Sequence, residues 1–400
     1  MRKLFSSLLF RIALAIALGI ILGNVLPDSV ARVFMTFNGV FSQFLGFMIP
    51  LIIIGLVTPA ISEIGKGSGK LLLLTVAIAY ADTSFAALMG YGVGEWLFPS
   101  LVASTESMAQ VAKPEDLQPY FTVSIPPLLD VMNALVLSFI MGLGISYGQL
   151  QTLRNCFIEM KDVVAGVIAK AIIPLLPLYI FGIFLSMTNS GQVLRIVTIF
   201  AYIILVIFAL HIIILLYAYT IAGLTTKRNP LRLLGTMLPA YLTALGTSSS
   251  AATIPVTFAQ TLKNKVSEGI AGFVVPLCAT IHMPGSAMKI SCCALTICLI
   301  NGMPHDFATF LHFTLMLGIV MVAAPGVPGG CIMAALAPLA SILGFDTEAQ
   351  ALMIALYIAM DSFGTACNVT SDGAIAIVVD KINPNRSLGF LCVVRQREIL

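Results

Sequence analysis

Charged side chains are scarce in this sequence. Asp, Glu, Lys and Arg make up only 10% of its 400 residues, whereas a soluble domain carries about 25% because water must solvate its surface. That shortage excludes a water-soluble globule of this length. The basic residues are scattered rather than massed into a stripe, and the formal net charge is only +3, which excludes a nucleic-acid-binding face. Metal and redox spacings are missing too. Cys278, Cys292, Cys293, Cys298, Cys331 and Cys367 lie in apolar stretches without a CxxC or a Cys/His pattern, and read as small buried hydrophobes. No clear small-residue cleavage site follows the apolar run from Ile12 to Leu26. That run, after Met1-Arg2-Lys3, is therefore expected to be a first membrane span rather than a removable signal.

Hydrocarbon fills the sequence instead. Hydrophobic residues make up 59% and the mean hydropathy is +1.02. A bilayer core about 30 Å thick takes roughly 20 apolar residues per helical span. Such stretches recur at 10–26, 36–61, 71–97, 123–148, 163–187 and 193–222, and again at 268–301, 307–344 and 350–380. A Ser-rich segment at 229–262 precedes the last three. Lys and Arg near span ends mark the cytoplasmic side. With the N-terminus inside, Arg2, Lys3, Lys66, Lys70, Arg154, Lys161, Lys227, Arg228, Arg232, Lys263, Lys265, Lys381, Arg386, Arg395 and Arg397 share that side, and only Arg32, Lys113 and Arg195 face the other. Both termini are thus expected in the cytoplasm.

This count works only if 229–262 and 307–344 enter the membrane and return to the side they left. Their tips read Thr247-Ser248-Ser249-Ser250-Ala251-Ala252-Thr253-Ile254-Pro255 and Ala324-Pro325-Gly326-Val327-Pro328-Gly329-Gly330. Small residues, Gly and Pro do not readily continue a helix. Irregular backbone at membrane depth is tolerated only where protein or water satisfies its polar groups. Two interrupted segments in one half of a chain point to a transporter's binding site.

The last span holds a polar stripe. Asp361, Thr365, Asn368 and Asp372 are spaced by four, three and four, and so share one helical face. A charge at the bilayer centre costs roughly 2.5–3.5 kcal/mol on insertion scales, so two acids there imply use. Solvated carboxylates at a helix end near the surface are the plainer alternative. The sequons at Asn368 and Asn385 have no meaning within a span and a cytoplasmic tail. Isolated Lys170 reads as a headgroup or subunit contact, and His211 as a hydrogen-bonded interior residue. Pro126, Pro127, Pro174 and Pro177 are expected to break or kink their helices.

In these motifs the chain resembles the glutamate and neutral amino acid transporters, also called dicarboxylate/amino acid:cation symporters, over essentially its whole length. The hairpin tips and the helix from Asp361 to Asp372 carry the likeness most specifically. The resemblance implies an all-α polytopic membrane protein of eight transmembrane helices plus two re-entrant helical hairpins. It also implies an elevator-type transporter, a homotrimer, in the plasma or inner membrane. Residues 1–66 (spans 1 and 2) and 99–192 (spans 4 and 5) would form a scaffold. A transport domain would comprise 67–98 (span 3), 193–222 (span 6) and 223–382. The last stretch would contain hairpin 1 at 229–262, span 7 at 265–301, hairpin 2 at 307–344 and span 8 at 347–380, before a cytoplasmic tail at 383–400.

By position, the resemblance implies that Asp361 takes a substrate's amino group and Asn368 its α-carboxylate. Thr365 and Gly364 would face the substrate side chain. Ser248, Ser249, Ser250, Val327, Pro328 and Gly329 would close over it. A zwitterion in a dehydrated pocket needs such an anion at one end and donors at the other. Cation-binding positions would be Tyr80, Thr83, Ser84, Cys278, Thr280, His282, Met283, Asn368 and Asp372.

Two departures bear on substrate and ion. Acidic-substrate members carry an arginine where this chain has Gly364. Without a guanidinium a second carboxylate would be buried unpaired at a cost of roughly several kcal/mol, so a small neutral amino acid such as serine, alanine or threonine is expected. Secondly, the family's Asn-Met-Asp-Gly-Thr break in span 7 reads His282-Met283-Pro284-Gly285-Ser286 here, and Pro284 replaces a sodium-binding carboxylate. Lys289 stands where a tyrosine is usual, Asp82 is an added acid, and hairpin 2 has Met321 and Ala324 near that cation site. Lys289 is expected either to supply a tethered charge paired with Asp82 or Asp372 in place of sodium, or to snorkel to an interface. His282 is a further titratable candidate beside Asp372. The coupling ion is expected to be sodium or a proton, with no other cofactor.

Other classes fit poorly. Asp361 and Asp372 lie eleven residues apart on one helix, about 16 Å at a 1.5 Å rise, too far for a catalytic dyad. Ser248 to Ser250 sit at a Pro-ended tip without an oxyanion strand, which argues against an intramembrane hydrolase. A channel wants a continuous polar pore rather than two closed hairpins.

Overall fold

The computed structural model describes residues 8–23, 25–64, 69–104, 118–189, 193–324 and 329–382, and every regular element among them is a helix. Helices α1 (Leu8–Leu22), α2 (Asp28–Ile64) and α3 (Gly69–Ser104) come first. Next are α4 (Val131–Gly148), α5 (Gln151–Val167), α6 (Ile173–Asn189) and α7 (Val193–Thr226). Then follow the short α8 (Pro230–Thr236), α9 (Leu238–Thr247) and α10 (Ser250–Lys263). The chain closes with α11 (Glu268–Ile281), α12 (Pro284–Asn301), α13 (Phe307–Ala323), α14 (Gly330–Ser341), α15 (Thr347–Ala359) and α16 (Asp361–Ile382).

Five stretches are long and apolar enough to cross a membrane in one pass: Asp28–Pro59, Leu71–Ser104, Gln151–Asn189, Arg195–Thr226 and Glu268–Asn301. A sixth, Thr347–Ala359 with Asp361–Ile382, qualifies as a pair bent by 63°. The expected first and fourth spans are the shorter apolar helices α1 and α4, of 15 and 18 residues. Three expectations need correction. The apolar stretch 123–148 is helical only from Val131. Pro126 and Pro127 lack the N–H a helix needs, and the segment instead bonds to α2, with Tyr120 N to Thr36 Oγ1 at 2.9 Å and Ile125 N to Gln43 Oε1 at 3.2 Å. Next, α5 and α6 run on from residue 151 through a π turn at Ile168–Ile172, which absorbs the missing N–H of Pro174. Thirdly, the expected span at 347–380 breaks at Met360.

Both hairpins return to the side they left. The ten residues of α9 and fourteen of α10 reach only about 15 and 21 Å at 1.5 Å per residue, short of the roughly 30 Å of hydrocarbon. Their bases meet where Asn264 Nδ2 donates to Leu233 O at 3.0 Å. Helices α13 and α14 also pack together, and at their bases the Met303 methyl lies 3.9 Å from the Cβ position of Gly344.

Helices α1, α2, α4, α5 and α6 pack chiefly on one another, as do α3, α7, α9 to α13 and α16, while α14 and α15 touch both groups. Within the second group α3 crosses α12 closely. Gly90 and Gly94 face it, and a Cβ at Gly90 would stand 2.8 Å from the Met288 carbonyl oxygen. Small residues four apart permit such an approach between membrane helices. Residues 284–298 of α12 are all buried, and α16 is buried on nearly every face. These two helices form the interior, so their polar side chains must find partners within the protein.

Candidate functional site

Two broken helices meet at the centre of this interior, and each break exposes backbone groups that side chains satisfy. α11 ends at Ile281, and α12 restarts with Pro284 in its first turn, where a missing N–H does no harm. The Gly285 and Ser286 N–H groups have no partner within their helix. They donate to Asn368 Oδ1 at 2.8 and 3.3 Å, while Asn368 Nδ2 donates to Ser286 Oγ at 3.0 Å and Met283 Sδ at 3.3 Å. Gly285 is required by this crossing, since a Cβ there would stand 2.7 Å from that of Cys367. His211 joins from α7, its Nε2 lying 3.2 Å from the Gly285 carbonyl oxygen.

At the second break the carbonyls of Tyr357 and Met360 already accept from Met360 N at 3.1 Å and Gly364 N at 3.2 Å, and each takes a further donor. Lys289 Nζ donates to Tyr357 O and Met360 O, both at 3.2 Å. The ammonium also lies 3.5 Å from the Tyr357 ring centroid and 4.0 Å from Asp361 Oδ1. Tyr357 Oη donates to Ser286 Oγ at 3.0 Å, joining the two breaks. Lys289 is fully buried, so the snorkelling alternative does not hold. A Cβ at Gly364 would stand 3.1 Å from Nζ.

Each hairpin sends its tip to the start of α16. Gly329 N donates to Asp361 Oδ2 at 2.8 Å, and Ser248 Oγ shares a hydrogen bond with Ser362 Oγ at 2.6 Å. Gly329 adopts a left-handed conformation with φ 74°, which glycine accepts without strain. Ser249 caps α10 by accepting from Ala252 N at 3.3 Å, and Ser250 is buried as the first residue of that helix. Thr365 turns its hydroxyl to the Asp361 carbonyl at 3.0 Å. Asp361, Thr365, Asn368 and Asp372 are all buried. Val327 and Pro328 lie outside the described residues, as does the tail at 383–400.

A second ionic cluster forms one level away. His282 Nδ1 lies 2.8 Å from Asp372 Oδ1, and its Nε2 lies 2.8 Å from Asp82 Oδ2. Tyr217 Oη donates to Asp82 Oδ1 at 2.6 Å, and Met283 N donates to Thr83 Oγ1 at 3.2 Å. The expected pairing of Lys289 with Asp82 or Asp372 is therefore corrected. The imidazole spans both carboxylates, and Lys289, seven residues further on, sits about 10 Å along the chain axis, on the face turned to the α15–α16 break. Of the remaining cation candidates, Cys278 is buried and its carbonyl accepts from His282 N at 2.9 Å. Thr280 is exposed, with its hydroxyl on Leu277 O at 2.8 Å. Tyr80 Oη turns away to Leu315 O at 3.2 Å, and Ser84 Oγ lies beside Gly318 of α13.

The sequence reading missed Tyr217, Tyr357 and Ser362. A signal existed for the tyrosines: a phenol within an apolar span must place its hydroxyl on a partner, and both stand close to chain breaks or acids only after folding.

Re-entrant hairpins closing on broken helices inside a polytopic helical bundle define the fold class of secondary membrane transporters. Residues 8–382 match the sodium:dicarboxylate symporter family, and the chain belongs to that family. It is also similar to excitatory amino acid transporter 1 of Rattus norvegicus, at 30% identity over 273 residues that cover 65% of this chain and 49% of that protein. The chain thus matches about half the length of this relative. Family and relative are transporters, not enzymes, and the hydrolase alternative falls with them.

Proposed function

We propose that this protein is a secondary active transporter of small neutral amino acids, coupled to sodium or a proton and working by an elevator mechanism. One observation carries the reading: both hairpin tips touch consecutive residues at the buried start of α16, Gly329 at Asp361 and Ser248 at Ser362. A ligand there would lie between two movable tips and a fixed polar helix, which is how an occluded site is opened from one side at a time. Asp361 would take the ammonium and the α12–Asn368 region the carboxylate. Residues 1–66 and 99–192 would serve as scaffold against a transport domain of 67–98 and 193–382, a division in keeping with the two helix groups. We read the assembly as a homotrimer in the cell membrane with both termini cytoplasmic.

Neutrality of the substrate is supported by Gly364, which leaves no guanidinium at that position for a second substrate carboxylate. The Lys289 ammonium donates to Tyr357 O and Met360 O. For the ion, His282 between Asp82 and Asp372 favours a proton over sodium, since a tethered imidazole sits on the oxygens a metal would use. A second reading, a proton-coupled or exchange carrier of another small carboxylate, is favoured by Lys289 Nζ lying 4.0 Å from Asp361 Oδ1. Proteoliposomes loaded with either gradient test the choice. L-serine, L-alanine or L-threonine should accumulate and L-aspartate should not compete. Tight aspartate binding, or no flux of any amino acid, would overturn the reading.

A further inference from the structure

The Lys289 ammonium stands close to where a ligand's amino group is expected. Asp361 Oδ2 is held by the Gly329 N–H of the second hairpin at 2.8 Å. The other oxygen, Oδ1, faces Lys289 Nζ at 4.0 Å, too far for a direct hydrogen bond. Nζ is anchored instead on the Tyr357 and Met360 carbonyls at 3.2 Å, the negative end of half-helix α15. Gly364 leaves room for it: a Cβ at that position would stand 3.1 Å from Nζ. Lys289 is fully buried and Asp361 is 6% exposed.

A carboxylate at this depth needs a counter-charge whether or not a ligand is present, because an unmatched buried charge is strongly penalised. A carrier that performs net uptake, rather than exchange alone, must also return empty. The ligand's ammonium cannot serve during that return, and the ammonium of Lys289 is the one cation that described residues place within reach of Asp361. We propose that Lys289 is a stand-in for the ligand's amino group at Asp361, neutralising it while the site is empty and giving way when ligand arrives, so that the ligand-free transport region can recross the membrane. This rests on the reading of the chain as a secondary carrier of small amino acids.

Removing the ammonium then has effects of opposite sign. With no internal competitor the ligand binds more tightly, yet the empty site carries an uncompensated acid and its return slows. A lysine that merely filled space would weaken both. In Lys289→Met proteoliposomes tested with L-serine, L-alanine and L-threonine beside wild type, the dissociation constant should fall about tenfold, as expected if the lysine occupies Asp361 about nine-tenths of the time. Exchange of internal for external amino acid should persist, while net uptake into amino-acid-free vesicles is all but lost, because the return would need a lysine-occupied state that the variant cannot form. Weaker binding, or parallel loss of exchange and net uptake, would overturn the proposal.

A second measurement needs no known substrate. Methylammonium should raise the melting temperature of purified Lys289→Ala, but not of wild type or of Lys289→Ala with Asp361→Asn. Absence of that rise would also overturn the proposal. Should wild type move none of the three amino acids, the carrier reading fails instead, and the methylammonium response still decides the role of the lysine.

Discussion

The interior holds two ionic clusters, and they are built to different tolerances. Around His282 the contacts are short: 2.8 Å to each of Asp82 and Asp372, with Tyr217 on Asp82 at 2.6 Å. Four elements, α3, α7, α16 and the α11–α12 break, contribute to it. Around Asp361 the cation stands off at 4.0 Å, and its direct hydrogen bonds go to backbone carbonyls. Two carboxylates are locked by side chains in the first cluster, whereas the single carboxylate of the second is approached by an amine and by a hairpin tip. A ligand can displace a partner held at 4.0 Å far more readily than one held in a closed chain of short bonds. The difference separates a part that stays assembled from a part arranged to exchange partners.

Substitutions can break or sharpen this contrast. His282→Leu should have the largest effect on folding, since it leaves Asp82 and Asp372 facing each other without their shared donor. A broken buried ionic network of this kind costs about 3–5 kcal/mol, read as a fall in thermal stability in detergent. A wild-type melting temperature would show that the His282 cluster is not the tighter one. Asp361→Asn should abolish amino acid binding in calorimetry yet destabilise less, by about 1–3 kcal/mol, because Lys289 keeps its two carbonyls and the Tyr357 ring. Destabilisation exceeding that of His282→Leu would reverse the ranking. Ser248→Ala should be mildest, within about 0.5–1.5 kcal/mol, because Ser248 is only partly buried and loses one hydrogen bond to Ser362. A larger loss would mean that the first tip is as firmly fixed as the His282 cluster.

Much of the architecture could be read without coordinates. The helices, their apolar lengths and the return of both hairpins follow from composition, from Lys and Arg placement, and from Gly, Pro and Ser at two tips. The stripe of Asp361, Thr365, Asn368 and Asp372 was visible as a spacing, and it is buried on one helix as that spacing requires. Residues 123–130 misled, because hydropathy does not register that Pro126 and Pro127 cannot donate. The bend at Met360 left no strong mark either: residues 350–380 read as one apolar stretch carrying a polar stripe, and the 63° bend between Thr347–Ala359 and Asp361–Ile382 belongs to the folded helices.

By itself, then, the chain's chemistry determined that it lives in lipid, which segments fold back, and that acids and a lysine lie deep within it. Hydropathy and local backbone preference are properties of neighbours along the chain, and they sufficed for this. Which charge meets which was decided only by tertiary structure. Lys289 and His282 are seven residues apart on one broken span, yet they face different acids across different helix crossings. Pairing at 3–4 Å depends on the rotation and approach of helices that are distant in sequence. Close crossings at Gly285 and Gly364 set that geometry here.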